Sequence, residues 1–203
     1  MRILHTSDWH LGQNFYGKSR AKEHQQFLSW LLEKTEQNKI DAIIVAGDIF
    51  DTGTPPSYAR EMYFDFIVNI HKINCQLIVL AGNHDSVAML GESKQLLANL
   101  STRVIPAVTD NIEEQVFTIK QKSNKVIQEQ DKHRDKEEQE VVICAIPFIR
   151  PRDVIKSQAG QSSSQKQQSL QQGISDHYQR LFSYAKSLAN DVPIIATGHL
   201  TTV

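Results

Sequence analysis

Three apolar runs in the sequence end at a glycine that is followed by a side chain able to bind a metal ion or a proton. Residues 43–48 read IIVAGD, residues 77–85 read LIVLAGNHD, and residues 194–199 read IIATGH. Asp8 and His10 follow a fourth apolar run at the start of the chain. Carboxylates, imidazoles and an amide oxygen, without a thiolate, favour Mn, Fe or Zn ions over soft metals. Two such ions can activate water and clamp a phosphoryl group.

Each motif also has an ordinary structural interpretation. An Asp-x-His pair at a strand end often serves as a turn or a helix cap, and Gly-Asp after an apolar run occurs in many α/β folds. Asn83-His84-Asp85 carries the strongest signal, because turn chemistry does not require the histidine. The other histidines receive structural interpretations and no catalytic role: His5, His24, His71, His133 and His177.

The elements that must position these residues alternate between β-rich runs and helical patterns. Strands are predicted over 2–7, 41–48 and 76–83, and helices over 19–38, from an N-cap at Ser57, and around 92–100. This alternation predicts an α/β unit with a parallel sheet. Because ligands bind outside the carboxyl ends of such strands, the polar side chains are expected to converge there.

The second half of the chain changes character. Residues 102–106, 114–120 and 141–148 predict a second, partly antiparallel sheet. Residues 120–140 are charged and are interpreted as a solvated insertion, and 157–168 as a Ser/Gln-rich surface connection. A helix over about 169–189 and a last strand over 192–200 complete the expected elements.

Composition limits the class of protein. A chain of 203 residues with 40% apolar content and a net charge of −1 suits one domain with a good core, without a uniformly basic nucleic-acid coat. Cys75 and Cys144 lie in apolar stretches and are interpreted as buried thiols. The sequence predicts no signal peptide and no membrane span. We therefore expect a cytoplasmic protein.

The four motifs together resemble the calcineurin-like metallophosphoesterase superfamily: Asp8-x-His10, Gly47-Asp48, Gly82 to Asp85, and Gly198-His199. Longer segments resemble the bacterial SbcD family, the nuclease subunits of SbcCD complexes: HTSDWHLGQNF, AGDIFDTGTPPSYAR, VLAGNHDSVAMLGES, IPFIRPRDVI and ATGHLTTV. The resemblance spans nearly the whole chain apart from 107–140. It implies a two-sheet α/β sandwich flanked by helices, in α-β-β-α layers, over 1–203.

The resemblance also implies a two-metal site with Mn²⁺ as the expected ion. Asp8 and His10 would bind one metal ion, Asp48 would bridge both ions, and Asn83 and His199 would bind the second.

Two further residues have roles implied by the same motif. His84 would orient the scissile phosphate or donate a proton to the leaving oxygen. Asp85 would hold either the imidazole of His84 or its loop.

By the same resemblance, the family cuts DNA as a 3′→5′ double-strand exonuclease and as a single-strand and hairpin endonuclease. It works with an SbcC-type ATPase in DNA repair, recombination and replication. A homodimer within that complex is a further alternative that the sequence leaves open. Lys18, Arg20, Arg150 and Arg152 are candidate contacts to DNA phosphates, with solvated surface charge as the equal alternative.

The chain departs from the family pattern in two places. It stops at GHLTTV without the family's later G-H-x-H motif, so we expect an N-terminal portion whose fold is incomplete at the C-terminus. Asp51 stands where some relatives carry a histidine, so that histidine's role is not carried over. The motifs alone also permit a metallophosphatase or a cyclic-nucleotide phosphodiesterase. For the isolated chain, a further alternative is a non-catalytic fragment.

Overall fold

The computed structural model describes residues 1–121, 139–155 and 162–200. Its strands are β1 (Ile3–Thr6), β2 (Asn14–Phe15), β3 (Lys18–Ser19), β4 (Ala42–Ala46), β5 (Gln76–Leu80), β6 (Thr102–Ile105), β7 (Val116–Lys120), β8 (Glu140–Ile146) and β9 (Ile194–Gly198). The first sheet is parallel, in the order β1, β4, β5, β6. The second has the order β7, β8, β9, with an antiparallel and a parallel pairing, while β2 and β3 form a small hairpin.

Helices cover the outer face of each sheet. They are α1 (Ala21–Gln37), α2 (Ser57–Lys72), α3 (Val87–Glu92), α4 (Lys94–Ala98), α5 (Pro151–Val154) and α6 (Ser163–Ala189). Residues of α1, α2, α3 and α4 pack in one core cluster with the first sheet, and residues of α6 pack in another with the second sheet.

Alternation along β4 shows how the layers form. Ile43 and Val45 point into the cluster shared with α1 and α2, whereas Ala42, Ile44 and Ala46 point into the cluster between the two sheets. All five residues are buried, because each face of this central parallel strand is covered. The predicted α-β-β-α sandwich is therefore confirmed.

Residues 102–106 were predicted to form a strand of the second sheet, and the assignment to that sheet is wrong. β6 pairs in parallel with β5 in the first sheet, where it forms an edge strand. The reason is the connection through α3 and α4, which returns the chain in the same direction beside β5, as a parallel pair requires. The predicted mixed character of the second sheet is confirmed by β7, β8 and β9.

Several helix boundaries also differ from the predictions. Ser57 is the first residue of α2 and Pro56 is its N-cap, so the predicted cap is wrong by one position. The helix expected around 92–100 is two short helices that meet at Ser93.

The last helix begins six residues before its expected start at 169. Ser162 and Gln165 form a reciprocal capping box that starts α6 at Ser163, so this helix includes part of the segment predicted as a surface connection. Gly173 lies inside the helix, where a Cβ would press against Val154 of α5.

The charged insertion joins two antiparallel strands. Lys120 and Glu140 are cross-strand neighbours and form an ion pair of 2.5 Å. Residues 122–138 of the insertion lie outside the described part of the chain. Cys75 and Cys144 are buried, as predicted. Within the described ranges, no helix has the length and apolar character that crossing a membrane requires.

Candidate metal centre

The predicted polar side chains converge on one cleft of about 370 Å³. It lies at the carboxyl ends of β1, β4 and β5 and of β9, so the two sheets contribute to the same cavity. The lining residues are His5, Ser7, Asp8, His10, Ala46, Asp48, Asn83, His84, Gly198, His199 and Leu200.

Asp8 and His10 are held by a loop that continues beside the loop after β4. The amide of Asp8 donates to Gly47 O at 3.1 Å, and the amide of His10 donates to Asp48 O at 3.0 Å. Trp9 between them is 5% exposed and packs in the core under α1 and α2. The Asp-x-His spacing thus directs two polar side chains into the cleft while the intervening indole anchors the loop.

Three of these residues have left-handed backbone conformations. The φ angles are +56° at Asp8, +46° at His10 and +50° at Asp48. Such angles are unfavourable for residues other than glycine and tend to occur at functional sites. The backbone therefore bears strain at three positions that the sequence motifs identify.

Asp48 occupies the middle of the cleft. Its side chain is almost fully buried, and Oδ1 accepts a hydrogen bond of 3.0 Å from the amide of His84. Oδ2 lies 3.7 Å from His10 Nε2 and 3.5 Å from His199 Nε2. Gly82 leaves space for this carboxylate, because a Cβ there would overlap Asp48 Oδ1. One carboxylate oxygen therefore faces imidazoles from both sides.

His199 comes from the second sheet and is oriented by the first. Its Nδ1 donates to Ala46 O at 2.9 Å, so Nε2 is the ring nitrogen that faces the cleft. Nε2 lies 3.0 Å from Asn83 Oδ1. An imidazole nitrogen and an amide oxygen this close can bind the same cation, so the donor set fits a divalent metal ion. Gly47 is needed here, because a Cβ would overlap the imidazole.

Asp51 contributes to the site, a role that the motifs did not predict. Its Oδ1 lies 3.2 Å from His10 Nδ1, while His10 Nε2 lies 3.9 Å from Asp8 Oδ1. Gln13 donates to the same Asp51 oxygen at 3.2 Å. A carboxylate beside an imidazole is a common arrangement around metal ligands. The only sequence signal was the position of Asp51, three residues after Asp48.

His84 is positioned by the backbone of Asp51. Its Nδ1 donates to Asp51 O at 2.8 Å, and its ring meets the ring of His10 edge-on at 5.1 Å. The hydrogen bond to that carbonyl raises the pKa of His84, and the nearby carboxylates of Asp48 and Asp51 act in the same direction. Its Nε2 stays available for a proton.

Candidate ligand atoms form two compact groups. Those of Asp8, Asp48 and His199 lie within 4.8 Å of one another, and so do those of His10, Asp51 and His84. In the second group, the Asp51 carboxylate lies 3.2 Å from His10 Nδ1, and the Asp51 backbone carbonyl accepts from His84 Nδ1. In the first group, Asp48 Oδ2 contacts His199 Nε2 at 3.5 Å, and the second carboxylate, that of Asp8, makes this group the more acidic of the two and the stronger metal candidate.

The carboxylate of Asp85 contacts the backbone of its own loop and of the loop after β4. Its carboxylate accepts from the amides of Gly82 at 2.8 Å, Phe50 at 3.0 Å and Ile49 at 3.2 Å. Burial raises the pKa of Asp85, and these amides oppose the rise. Asp85 therefore ties the loop after β5 to the loop after β4.

The four candidate DNA contacts have different surroundings. Lys18 and Arg20 are exposed beside the β2–β3 hairpin. Arg150 is half-buried and donates to Asp85 O at 3.1 Å, so part of its guanidinium supports the loop. Arg152 is exposed, and its Nε lies 3.9 Å from Asp153 Oδ1.

Of the histidines predicted to be structural, His24, His71 and His177 do not line the cleft, and His133 lies outside the described residues. His24 and His177 are buried, and His177 Nε2 contacts Gln115 Oε1 at 3.1 Å. His5 lines the cleft, where its Nε2 contacts Thr197 Oγ1 at 3.0 Å. Since β1 ends directly below Asp8, this contact lies at the floor of the site and joins the first sheet to β9.

The chain matches a family model described as calcineurin-like phosphoesterase over residues 1–201. It is 52% identical over 205 aligned residues to the SbcD component of nuclease SbcCD from Escherichia coli strain K12, with 100% of this chain and 47% of that protein covered. The resemblance expected from the motifs is therefore confirmed.

Two other SbcD components of SbcCD nucleases also match. The one from Rhodobacter capsulatus is 26% identical over 208 residues, covering 99% of this chain and 48% of its own length. The one from Bacillus subtilis is 39% identical over 97 residues, covering 47% of this chain and 25% of its own length. The chain thus spans at most about half the length of the curated relatives it matches.

Proposed function

The chain belongs to the calcineurin-like phosphoesterase family, and on that premise we propose that it supplies metal-binding residues of a DNA nuclease. The observation that carries the proposal is the cluster of Asp8, Asp48 and His199 at the junction of both sheets. The family implies divalent metal binding. The oxygen and imidazole donors suit Mn, Fe or Zn ions, and Mn²⁺ is the ion proposed here because the chain resembles SbcD nuclease components. A cytoplasmic location stays a prediction.

The ligand assignment follows the sequence prediction. Asp8 and His10 would hold one metal ion, Asn83 and His199 would hold the other, and Asp48 would contact both. Support comes from Asp48 Oδ2, which lies between the cleft-facing Nε2 atoms of His10 and His199. When bound, two such ions supply activation of water and neutralisation of charge on the phosphoryl group.

His84 is proposed to donate a proton to the leaving oxygen or to orient the scissile phosphate. Its Nδ1–H is committed to Asp51 O, which leaves Nε2 exposed toward the cleft. A raised pKa keeps more of the imidazole protonated near neutral pH, as a general acid requires. Asp51 therefore positions the proton donor through its backbone carbonyl, and its carboxylate lies beside the imidazole of His10.

DNA is the proposed substrate, since the relatives are named as components of nucleases. The finer proposal includes 3′→5′ exonuclease and hairpin endonuclease activities, together with an SbcC-type ATPase partner. Lys18, Arg20 and Arg152 are exposed and can reach backbone phosphates, whereas Arg150 is proposed mainly to support the loop at Asp85.

The test uses the natural full-length protein with Mn²⁺ and compares wild type with His84→Gln. Substrates are blunt duplex DNA, hairpin DNA, bis(p-nitrophenyl) phosphate and p-nitrophenyl phosphate. We expect wild type to cut DNA and His84→Gln to slow cleavage about 10²- to 10⁴-fold. Calorimetry should show that Mn²⁺ still binds the variant.

Other results would redirect the proposal. Hydrolysis of the small esters without cleavage of DNA would identify a phosphatase-type enzyme. Loss of Mn²⁺ binding in His84→Gln would make His84 a metal ligand. Absence of both activities and of tight Mn²⁺ binding in wild type would favour the non-catalytic alternative.

A further inference from the structure

Two aromatic side chains stand exposed at the tip of the hairpin formed by β2 and β3. Phe15 is 64% exposed and Tyr16 is 91% exposed, and their rings meet edge-to-face with centroids 4.6 Å apart. Tyr16 and Gly17 form the turn, with φ angles of +47° and +73°. These angles are typical of the tight two-residue turns that give a hairpin a defined shape.

The hairpin is attached directly to the candidate metal centre. The amide of Gln13 donates to His10 O at 3.0 Å, and the amide of Arg20 donates to Gln13 O at 3.1 Å. The Gln13 side chain donates to Asp51 and accepts from the Arg20 guanidinium at 2.9 Å. Gln13 thus fixes the base of the hairpin against the loops that carry the candidate ligands.

The charged side chains within residues 13–22 are all basic. Residues 13–22 read QNFYGKSRAK, with Lys18, Arg20 and Lys22 and no acidic residue. All three cations are exposed. An aromatic pair flanked by cations is suited to a strand of nucleic acid, because the cations can contact phosphates while the rings stack on bases.

We propose that Phe15 and Tyr16 stack on unpaired bases of a DNA strand whose scissile phosphate lies in the cleft. This inference rests on the proposed nuclease function. Tyr16 lies three positions after Gln13, so the tip reaches about 10 Å from the base of the hairpin. At about 3.4 Å per base step, that distance corresponds to about three nucleotides.

Stacking would have a specific consequence at the cleft. Bases have aromatic faces whatever their identity, so the tip would hold a strand without reading its sequence. It would favour frayed ends and hairpin loops, where bases are accessible, over intact duplex. The hairpin would then select locally unpaired DNA for the metal centre.

The experiment uses the natural full-length protein and a double variant, Phe15→Ala with Tyr16→Asn. Asparagine tolerates the left-handed turn, so the hairpin backbone is preserved. The matched control, Phe15→Tyr with Tyr16→Phe, keeps both rings. Binding is measured in Ca²⁺ with hairpin DNA that carries 2-aminopurine one to four nucleotides from the cleavage position, and hydrolysis of bis(p-nitrophenyl) phosphate is measured in Mn²⁺.

We expect the double variant to bind unpaired DNA about five- to a hundred-fold more weakly than wild type for each stacked base lost. It should also lose the 2-aminopurine fluorescence change that wild type shows. The control variant should match wild type in both. Small-ester hydrolysis should be equal in all three proteins, and an abasic site at the stacked position should remove the difference in DNA binding.

Three outcomes would overturn the inference. The double variant could bind DNA as wild type does, or it could lose small-ester hydrolysis as well, which would mean that the rings only support the site. It could instead bind DNA normally and fail to associate with a purified ATPase partner, which would assign the tip to a protein interface. If wild type cuts no DNA, the proposed nuclease function is wrong. If wild type cuts DNA and the double variant binds DNA equally well, only the stacking inference is wrong.

Discussion

The loops that follow the first sheet and the loop that follows the second contribute to the cleft in different ways. The first sheet supplies Asp8, His10, Asp48 and Asn83 from three loops joined by hydrogen bonds through backbone amides and Asp85. The second sheet supplies His199, whose two ring nitrogens both contact atoms of the first sheet's side.

The two sheets therefore position their candidate ligands in different ways. On the first-sheet side, most candidate ligands are fixed by local backbone contacts, three of them in left-handed conformations. On the second-sheet side, the imidazole is placed only if the two sheets pack face to face through the cluster around Ile44, Leu80 and Ile143. The first side should therefore be sensitive to changes in its loops, and the second to changes in sheet packing.

The largest effect is expected for Asp48→Asn. Asparagine keeps an oxygen to accept from the His84 amide but removes the charge that both proposed metal ions would share. Mn²⁺-dependent cleavage by the full-length protein should fall by about a thousandfold or more, since metal-ion charge stabilisation is worth several kcal/mol. Full activity in this variant would refute the bridging role. Thermal unfolding monitored in parallel serves as the folding control.

Asp85→Asn should destabilise the loops on the first-sheet side, with a smaller effect than that of Asp48→Asn on cleavage. An amide nitrogen cannot accept, so at least one of three buried backbone amides loses its partner. We expect a loss of about 3 kcal/mol in the free energy of unfolding, measured by urea titration. The matched variant on the second-sheet side is Asp153→Asn, where one backbone amide is involved and about 1 kcal/mol or less should be lost. Equal losses would contradict the difference between the two sides.

Gly47→Ala tests the contact between the two sides. The new methyl group would overlap the His199 imidazole, at a residue whose φ is +91°. We expect about 2 kcal/mol of destabilisation and weaker Mn²⁺ binding. Gly17→Ala is the control, because its φ is +73° and a Cβ there meets nothing within 4 Å. That variant should show only about 1 kcal/mol of backbone strain and unchanged Mn²⁺ affinity. Similar results for both would assign the effect to strain alone.

The smallest effect concerns pH. Burial lowers the pKa of both His24 and His177, with Arg20 and Arg180 acting in the same direction. The unfolded chain takes up a proton near pH 6.5, whereas the folded chain resists it. The stability they contribute is therefore complete above that pH and declines as the pH falls below it.

The unfolding free energy between about pH 7.5 and pH 5 measures this decline. His24→Gln, in α1 on the first-sheet side, should reduce the dependence of the unfolding free energy on pH. His177→Gln, in α6 on the second-sheet side, should do the same. Profiles that keep the wild-type slope in both variants would contradict these assignments.

The convergence of the candidate ligands could be predicted from the sequence, because the carboxyl ends of parallel strands share one edge. Asp8, Asp48 and Asn83 follow this rule within a single sheet. His199 reaches the same cleft by another route, since β9 belongs to the facing sheet. A residue pattern indicates that a segment is a strand, but it does not indicate which sheet the strand joins. The prediction for 102–106 failed for the same reason.

The supporting residues were harder to predict because their roles depend on backbone atoms distant in sequence. Asp51 orients His84 through a carbonyl oxygen 33 residues away, and no side-chain motif records such a contact. Asp85 was identified, but the sequence did not indicate that its carboxylate would accept from the amides of Ile49 and Phe50. The early start of α6 was encoded locally by Ser162 and Gln165, although the surrounding Ser/Gln-rich composition favoured a surface connection.

The most direct test is to locate Mn²⁺ in crystals of the full-length protein by anomalous scattering. We expect two peaks about 3.5–4 Å apart, with Asp48 between them, one beside Asp8 and His10 and the other beside Asn83 and His199. A single peak among His10, Asp51 and His84, or peaks that do not contact Asp48, would contradict the proposed centre.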